Sequence, residues 1–208
     1  MGAEAKSTYT TIAEYLENEE KSLEKHEYHN GRIVVVSRKV PLNNPPTLNH
    51  SLIGSNITGE LRNAVRGKGC KTFNSDAKVY IDTLNHFVYP DATVVCGKVE
   101  TSEKDANALS NPLLVVEVLS ESTGDYDRGE MFRKYRTLTS FREYVLIDQY
   151  QPIVDVLYRM EDNSWKMVTI IGLDKTIYLN SLECELKMSD IYLDVEDLKE
   201  PMMQLDFS

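Results

Sequence analysis

The 208-residue chain is poor in several things at once. It has three cysteines, Cys70, Cys96 and Cys184, far apart and without a CxxC pair. An odd, scattered set excludes a disulfide-built scaffold and a cysteine zinc site, and reads as three separate thiols in a reducing compartment. Its four histidines show no paired spacing, which removes the usual histidine zinc motifs. No window approaches eighteen apolar residues, so no membrane-spanning helix is expected. The first thirty residues hold seven Glu, three Lys and no apolar stretch, unlike a secretory leader. A cytoplasmic protein is expected. Walker, GxGxxG and GxSxG motifs are all missing, and with them the signatures of phosphate-loop, dinucleotide and serine-hydrolase chemistry. Positive charge is also short: 23 basic against 33 acidic residues give a net charge of −10. Taken as a total, that argues against a binder relying on bulk positive charge.

What is present is an ordinary globular composition, 41% hydrophobic and 27% charged, long enough to bury a sizeable core. Residues 1–8 read as a disordered start, 9–195 as one domain and 196–208 as a tail. Thr11 and Glu14 form a capping-box pattern ahead of a short helix with Ile12, Tyr15 and Leu16. Asn30-Gly31 signals a turn into a β-branched strand from Ile33 to Val36. Residues 41–47 are a proline-rich loop. Leu48, Leu52, Ile53, Ile57, Leu61 and Val65 recur at helical spacing over 48–66. Residues 72–81 alternate as a half-exposed strand, and 86–96 read as another strand whose Pro90 needs an edge, a start or a bulge. Residues 98–111 are polar loop. The run 113–119, Leu-Leu-Val-Val-Glu-Val-Leu, then a helix from Tyr126 to Leu138, then an apolar strand from Tyr144 to Ile147, make a βαβ unit with parallel strands. Residues 153–158 and 165–171 read as an antiparallel hairpin turning at 161–163, followed by one or two short strands and an acidic stretch. The fold class is α/β, a mixed sheet flanked by helices with an antiparallel β extension.

Two carboxylates stand out. Glu117 lies inside the most apolar strand, where an uncompensated charge costs several kcal/mol. A cation, a metal ion or a retained proton must compensate, unless it is a structural glutamate bonded to backbone or arginine. Asp91 follows Pro90 within Tyr89-Pro90-Asp91-Ala92-Thr93, and Pro90 removes a ladder donor beside it. If the two strands are neighbours the carboxylates converge, and two hard oxygen ligands are what Mg²⁺ takes from a protein, waters and substrate filling the rest.

Pro90-Asp91 with Glu117 in a buried strand resembles the core of the PD-(D/E)XK nuclease superfamily. The chain is similar, over roughly residues 10–195, to its Uma-type restriction endonuclease family. The similarity rests on HEYHNGRI (26–33), NHSLIGSNITGELR (49–62), FNSDAKV (73–79), YPDATVVCG (89–97), NPLLVVEVLSESTGDYDRGEMFRKYR (111–136) and SFREYVLIDQY (140–150), in that order. The resemblance implies a restriction endonuclease-like fold and a Mg²⁺- or Mn²⁺-dependent endonuclease that hydrolyses phosphodiester bonds, of DNA before RNA. It implies Asp91 and Glu117 as metal carboxylates, with the Val118 carbonyl completing the protein ligands. It implies Glu27 as an acid supplied by the first helix, and a homodimer. The superfamily's lysine, two residues after the second carboxylate, is here Leu119; the family's helical lysine position, after Asp127-Arg128-Gly129-Glu130, is Met131.

Lys134, about 60° round the helix from Met131 and one turn along, is the first candidate replacement, with Tyr135 near the same face. Lys78 beside Asp76 is the second, and His50 is placed to reach the cleft. Two other readings stand: a catalytically inactive relative that binds nucleic acid or a protein partner, and an enzyme acting on a small phosphorylated metabolite. The charge is uneven. Residues 62–78 and 128–142 each sum to +4, so one local basic face on an acidic body is expected.

Overall fold

A computed structural model describes residues 9–35, 47–120 and 124–201. The expected disordered start, the proline-rich loop up to residue 46, Val36 and the last seven residues of the tail lie outside them.

The chain opens with α1 (Ile12–Lys21), whose N-cap Thr11 and Glu14 bond reciprocally as the capping box requires. β1 (His26–His29) and β2 (Arg32–Val35) then form a hairpin. Both turn residues have positive φ, 44° at Asn30 and 91° at Gly31, which is why Asn-Gly stands there. α2 (Leu48–Ala64) is capped by Thr47 and buries Ile53, Ile57 and Leu61, one every fourth residue. Leu48 is exposed, contrary to the helical pattern. It stands about 140° round the helix from Ile53, off the buried stripe.

The two long strands read from sequence are each two strands in different sheets. β3 (Cys70–Asn74) and β4 (Lys78–Ile81) are separated by a turn in which the Asp76 N–H donates to the Asn74 side chain. β5 (His86–Val88) and β6 (Ala92–Cys96) are separated at Pro90, which breaks the ladder rather than bulging it. β7 (Ala108–Leu109) lies in the stretch read as loop. β8 (Leu114–Leu119) and β9 (Glu143–Asp148) are parallel, joined by α3 (Gly124–Tyr126), a π-helical stretch (Asp127–Met131) and α4 (Phe132–Tyr135), as the βαβ reading requires. β10 (Ile153–Arg159) and β11 (Trp165–Ile171) form the expected hairpin. β12 (Thr176–Leu179), β13 (Cys184–Lys187) and α5 (Met188–Ile191) complete the order.

Among the described residues the strands form a six-stranded mixed sheet, β11-β10-β9-β8-β6-β3, a five-stranded sheet, β2-β1-β5-β4-β7, and the pair β12-β13. One face of the six-stranded sheet packs Val116, Val118, Val145 and Ile147 against Ile53, Ile57 and Leu61 of α2 and against β12 to α5. Its other face packs Val115, Leu119, Tyr144 and Leu146 against Met131 and Tyr135, and against Val79, Ile81 and Val88 of the five-stranded sheet. Each such side chain contributes about 1.5–3 kcal/mol by leaving water. Cys70 and Cys96 are register partners across β3 and β6, with Cα atoms 3.9 Å apart, and are joined as a disulfide. The reading of three separate thiols is corrected for these two. Their pairing follows from strand register, which a separation of 26 residues does not reveal.

Glu143 is fully buried at the start of β9 and accepts from the Asn180 and Ser181 N–H groups and the Ser181 hydroxyl, at 2.7, 3.0 and 2.6 Å. Burial raises its pKa while these donors lower it. Glu143→Ala strands those donors, and a loss of about 3 kcal/mol in urea unfolding is expected. A loss under about 1 kcal/mol means that the clasp is not structural.

Candidate active site

Asp91 precedes β6 and Glu117 sits within β8. Because Ala92 is the register partner of Val116, Asp91 falls opposite Glu117. The Asp91 N–H points at Glu117 Oε2, 3.4 Å away, and Asp91 Oδ2 accepts from the Val118 N–H at 2.8 Å. A residue's N–H and C=O point to the same side of a strand, so the Val118 carbonyl opens toward Asp91 as well. With no β6 residue there to take the Val118 N–H, the Asp91 carboxylate takes that rung of the ladder.

Two further groups fix the pair. Tyr135, fully buried on α4, donates to Glu117 Oε1 at 3.1 Å. His50 Nε2, near the start of α2, lies 3.4 Å from Asp91 Oδ2. The backbone of His50 is itself anchored: its N–H donates to Thr47 Oγ1 at 3.1 Å, Thr47 donates to the side chain of buried Gln149, and Gln149 Nε2 donates to the Leu119 carbonyl at 2.8 Å. Thr47 and Gln149 thus tie the helix bearing His50 to the end of the strand bearing Glu117. Neither was legible as a site residue, since a Thr N-cap and a Gln after a strand are common.

Glu27 lies on β1, not on the first helix as expected. It shares a face of that strand with His29, and the buried His86 of β5 is His29's register partner. The two imidazoles stack at 4.6 Å, and His86 Nε2 is 3.9 Å from Glu27 Oε2. The pKa of Glu117 is held well above the carboxylate range, first by burial and then by the negative charges of Asp127, Asp91 and Glu27. Four acidic groups, Glu117, Asp127, Asp91 and Glu27, thus face one junction between the two sheets.

Lys134 is buried at its rim. Its Nζ donates to the Tyr126 hydroxyl at 2.7 Å and pairs with Glu130 at 2.8 Å. Burial lowers the Lys134 pKa, but these two partners more than offset it and leave it raised. Lys78 and Asp76 are not brought to the carboxylates. Alternation along β4 sends Lys78 to the opposite face of the five-stranded sheet from Glu27, over Tyr15 and Phe87 and 2.6 Å from Asp105. Asp76 pairs with Lys25. Met131, at the family's lysine position, is buried among Leu119, Tyr135 and Tyr144. A cavity of about 340 Å³ opens beyond the carboxyl ends of β8 and β9, lined by Leu119, Ser120, Arg128, Asp148 and Lys199 among others.

A protonated Glu117 carries a pH signature. Between the usual value near 4.5 and its raised one, the folded chain holds a proton that the unfolded chain releases. Metal-free stability therefore falls as pH rises through that window. Glu117→Gln removes the slope and raises metal-free stability near pH 8 on the order of 1 kcal/mol, ~2–4 °C in Tm for a chain of this size. An unchanged pH–Tm profile would contradict the raised pKa.

Three comparisons bear on this geometry. The profile of the Uma2 family, described as "putative restriction endonuclease", matches residues 12–196. Two uncharacterised proteins of Synechocystis sp. (strain ATCC 27184 / PCC 6803 / Kazusa) are similar: one is 30% identical over 78% of this chain and 88% of its own length, the other 31% over 86% and 89%. The crystal structure of a "putative nuclease belonging to DUF820" from Anabaena variabilis superposes with a TM-score of 0.66 at 19% identity, covering 88% of this chain and 97% of that one, a likeness of fold.

Proposed function

Because the chain belongs to the Uma2 family, within the PD-(D/E)XK superfamily, we propose that it is a metal-dependent endonuclease that hydrolyses phosphodiester bonds of DNA. The observation that carries the reading is the Asp91–Glu117 pair: two carboxylates opposite each other in register, the second held above the carboxylate range by burial and by the negative charges around it. That is a site suited to a divalent cation.

The residues fit Mg²⁺ or Mn²⁺. Among the described residues no three His, Cys, Asp or Glu side chains converge to hold a metal ion. A closed zinc-like cage is therefore not what they form, whereas Mg²⁺ needs only one or two carboxylates with waters and a substrate phosphate. Asp91, Glu117 and the Val118 carbonyl would hold the ion, which when bound would polarise the scissile phosphate and acidify its water. Tyr135 orients Glu117 and His50 orients Asp91. Glu27 faces the pair from the other sheet and would take a proton or bond a water there. Lys134, kept charged by Glu130 and Tyr126, would offset the charge that develops on the phosphate. The reading extends to a homodimer acting in the cytoplasm. Among the described residues no helix is long and apolar enough to cross a membrane.

One observation favours a second reading, a nuclease fold without catalysis: Met131 puts an apolar side chain into the core at the family's lysine position. Plasmid nicking with Mg²⁺ or Mn²⁺ separates the two. Asp91→Ala and Glu117→Ala should each lose at least about 10²–10³-fold in rate while keeping a cooperative unfolding transition, and Lys134→Ala about 10²-fold. Should Lys134→Ala nick as well as wild type while Met131→Lys nicks faster, the ammonium assignment falls. A wild-type chain that gives no calorimetric heat with either ion and no nicking belongs to the inactive reading.

A further inference from the structure

The end of the six-stranded sheet carries a cluster of cations that the site does not use. Arg142 immediately precedes β9, Arg159 ends β10 and Arg136 follows α4. Their elements bring them together: the Arg159 N–H donates to the Arg142 carbonyl at 2.9 Å, and Arg159 Nη2 donates to the Arg136 carbonyl at 2.8 Å. Between them sits Trp165, the only tryptophan of the chain. Arg159 and Arg136 lie over its ring at 5.4 and 5.9 Å, and Phe132 and Phe141 support it at 4.9 and 5.3 Å.

This patch is rich in donors and poor in acceptors. None of the three arginines has a carboxylate within ion-pair distance among the described residues; their partners are rings and carbonyls. The acids nearest Arg159 along the chain, Glu161 and Asp162 at the hairpin tip, do not pair with it, Asp162 accepting from Ser164 instead, and Glu143 beside Arg142 is taken up by Asn180 and Ser181. The Arg159 Nε and the Trp165 indole N–H are buried with no acceptor. Burial and the positive charges of Arg142 and Arg136 pull the Arg159 pKa below its usual value. Three like charges held together on an aromatic floor repel one another, an anion between them relieves that repulsion, and planar guanidinium forks match phosphate oxygens.

Position selects the anion. Arg142 shares its strand face with Tyr144 and Leu146, and Arg159 shares its own with Leu157; this is the face that carries Glu117. Leu146 is the register partner of Glu117, so Arg142 lies four residues, ~13 Å, from the carboxylate pair. We propose that Arg136, Arg142 and Arg159 around Trp165 form a phosphate-binding surface that grips the backbone of duplex nucleic acid about 13 Å along the sheet from the carboxylate pair. The proposal rests on the nuclease reading for its ligand and adds a site to it.

Trp165 provides the readout. The full chain is titrated in EDTA, where no cleavage occurs, with a 20-base-pair DNA duplex while Trp165 emission is followed. A saturable change is expected, with log K falling linearly in log salt. Arg136→Gln/Arg142→Gln should lower that slope by about 2 and weaken binding roughly 10- to 100-fold at 0.1 M salt. Arg142→Gln alone, at an exposed side chain, should lower the slope by about 1 and serves if the double variant fails to unfold cooperatively in urea. Lys187→Gln, exposed on β13, should bind as wild type does. An emission unmoved by duplex, arginine variants with the wild-type slope, or poly-glutamate of equal charge acting as well as duplex overturns the proposal. A chain that binds this way but never nicks DNA keeps the patch and loses the nuclease reading.

Discussion

Asp91 and Glu117 are neighbours because β6 and β8 pair in one register, and most of the site follows from that contact. The pairing stops at Ala92, since Pro90 has no N–H and diverts the chain toward the other sheet. The rung left open on β8 is closed by a side chain, Asp91 Oδ2 on the Val118 N–H, which locks the first carboxylate beside the second. A one-residue slip of β6 would turn Glu117 and its partner to opposite faces. The pair thus depends on the packing of Ala92 and Val94 against α2 as much as on its own hydrogen bonds.

The junction of two sheets supplies the electrostatics. The five-stranded sheet brings Glu27 to Glu117, with His29 and His86 stacked beside it, and the helical crossover adds Asp127 there and Lys134 near His29. Acidic groups therefore outnumber cations at the centre, while Lys134, paired with Glu130, lies at the rim and three arginines without a carboxylate partner among the described residues lie at the Trp165 end of the sheet. A protein of net charge −10 can hold a polyanion in this way only locally, where a few arginines are kept away from carboxylates. The aromatic floor under Arg136 and Arg159 does that, offering the guanidinium groups rings rather than acids.

Elements set by local rules were legible. The capping box of α1, the Asn30-Gly31 turn, the buried stripe of α2, the parallel β8–β9 unit and the β10–β11 hairpin all follow from spacing and turn chemistry. Misreadings arose where one alternating run crossed between sheets, as at 72–81 and 86–96, because alternation is the same whichever partner a strand has. Glu27 was legible as an acid of interest but not as a strand residue. Lys78 was the second candidate on paper, and alternation along β4 faces it away from Glu27. Gln149, Thr47 and the His29–His86 stack carried no signal, since each acts through a residue far away in the chain.

The sequence by itself determined that a carboxylate would be buried in an apolar strand, that another would follow a proline in a second apolar strand, and that basic residues would gather in two segments. Burial cost and ladder chemistry are properties of a few adjacent residues, and so can be read without a fold. Only the tertiary structure decided which groups meet: Tyr135 and His50 on the pair, Lys134 on Tyr126 and Glu130, Cys70 on Cys96, and Arg159 with Arg136 and Arg142 around Trp165. Those contacts span tens of residues, and register and sheet order, which no local pattern encodes, select them.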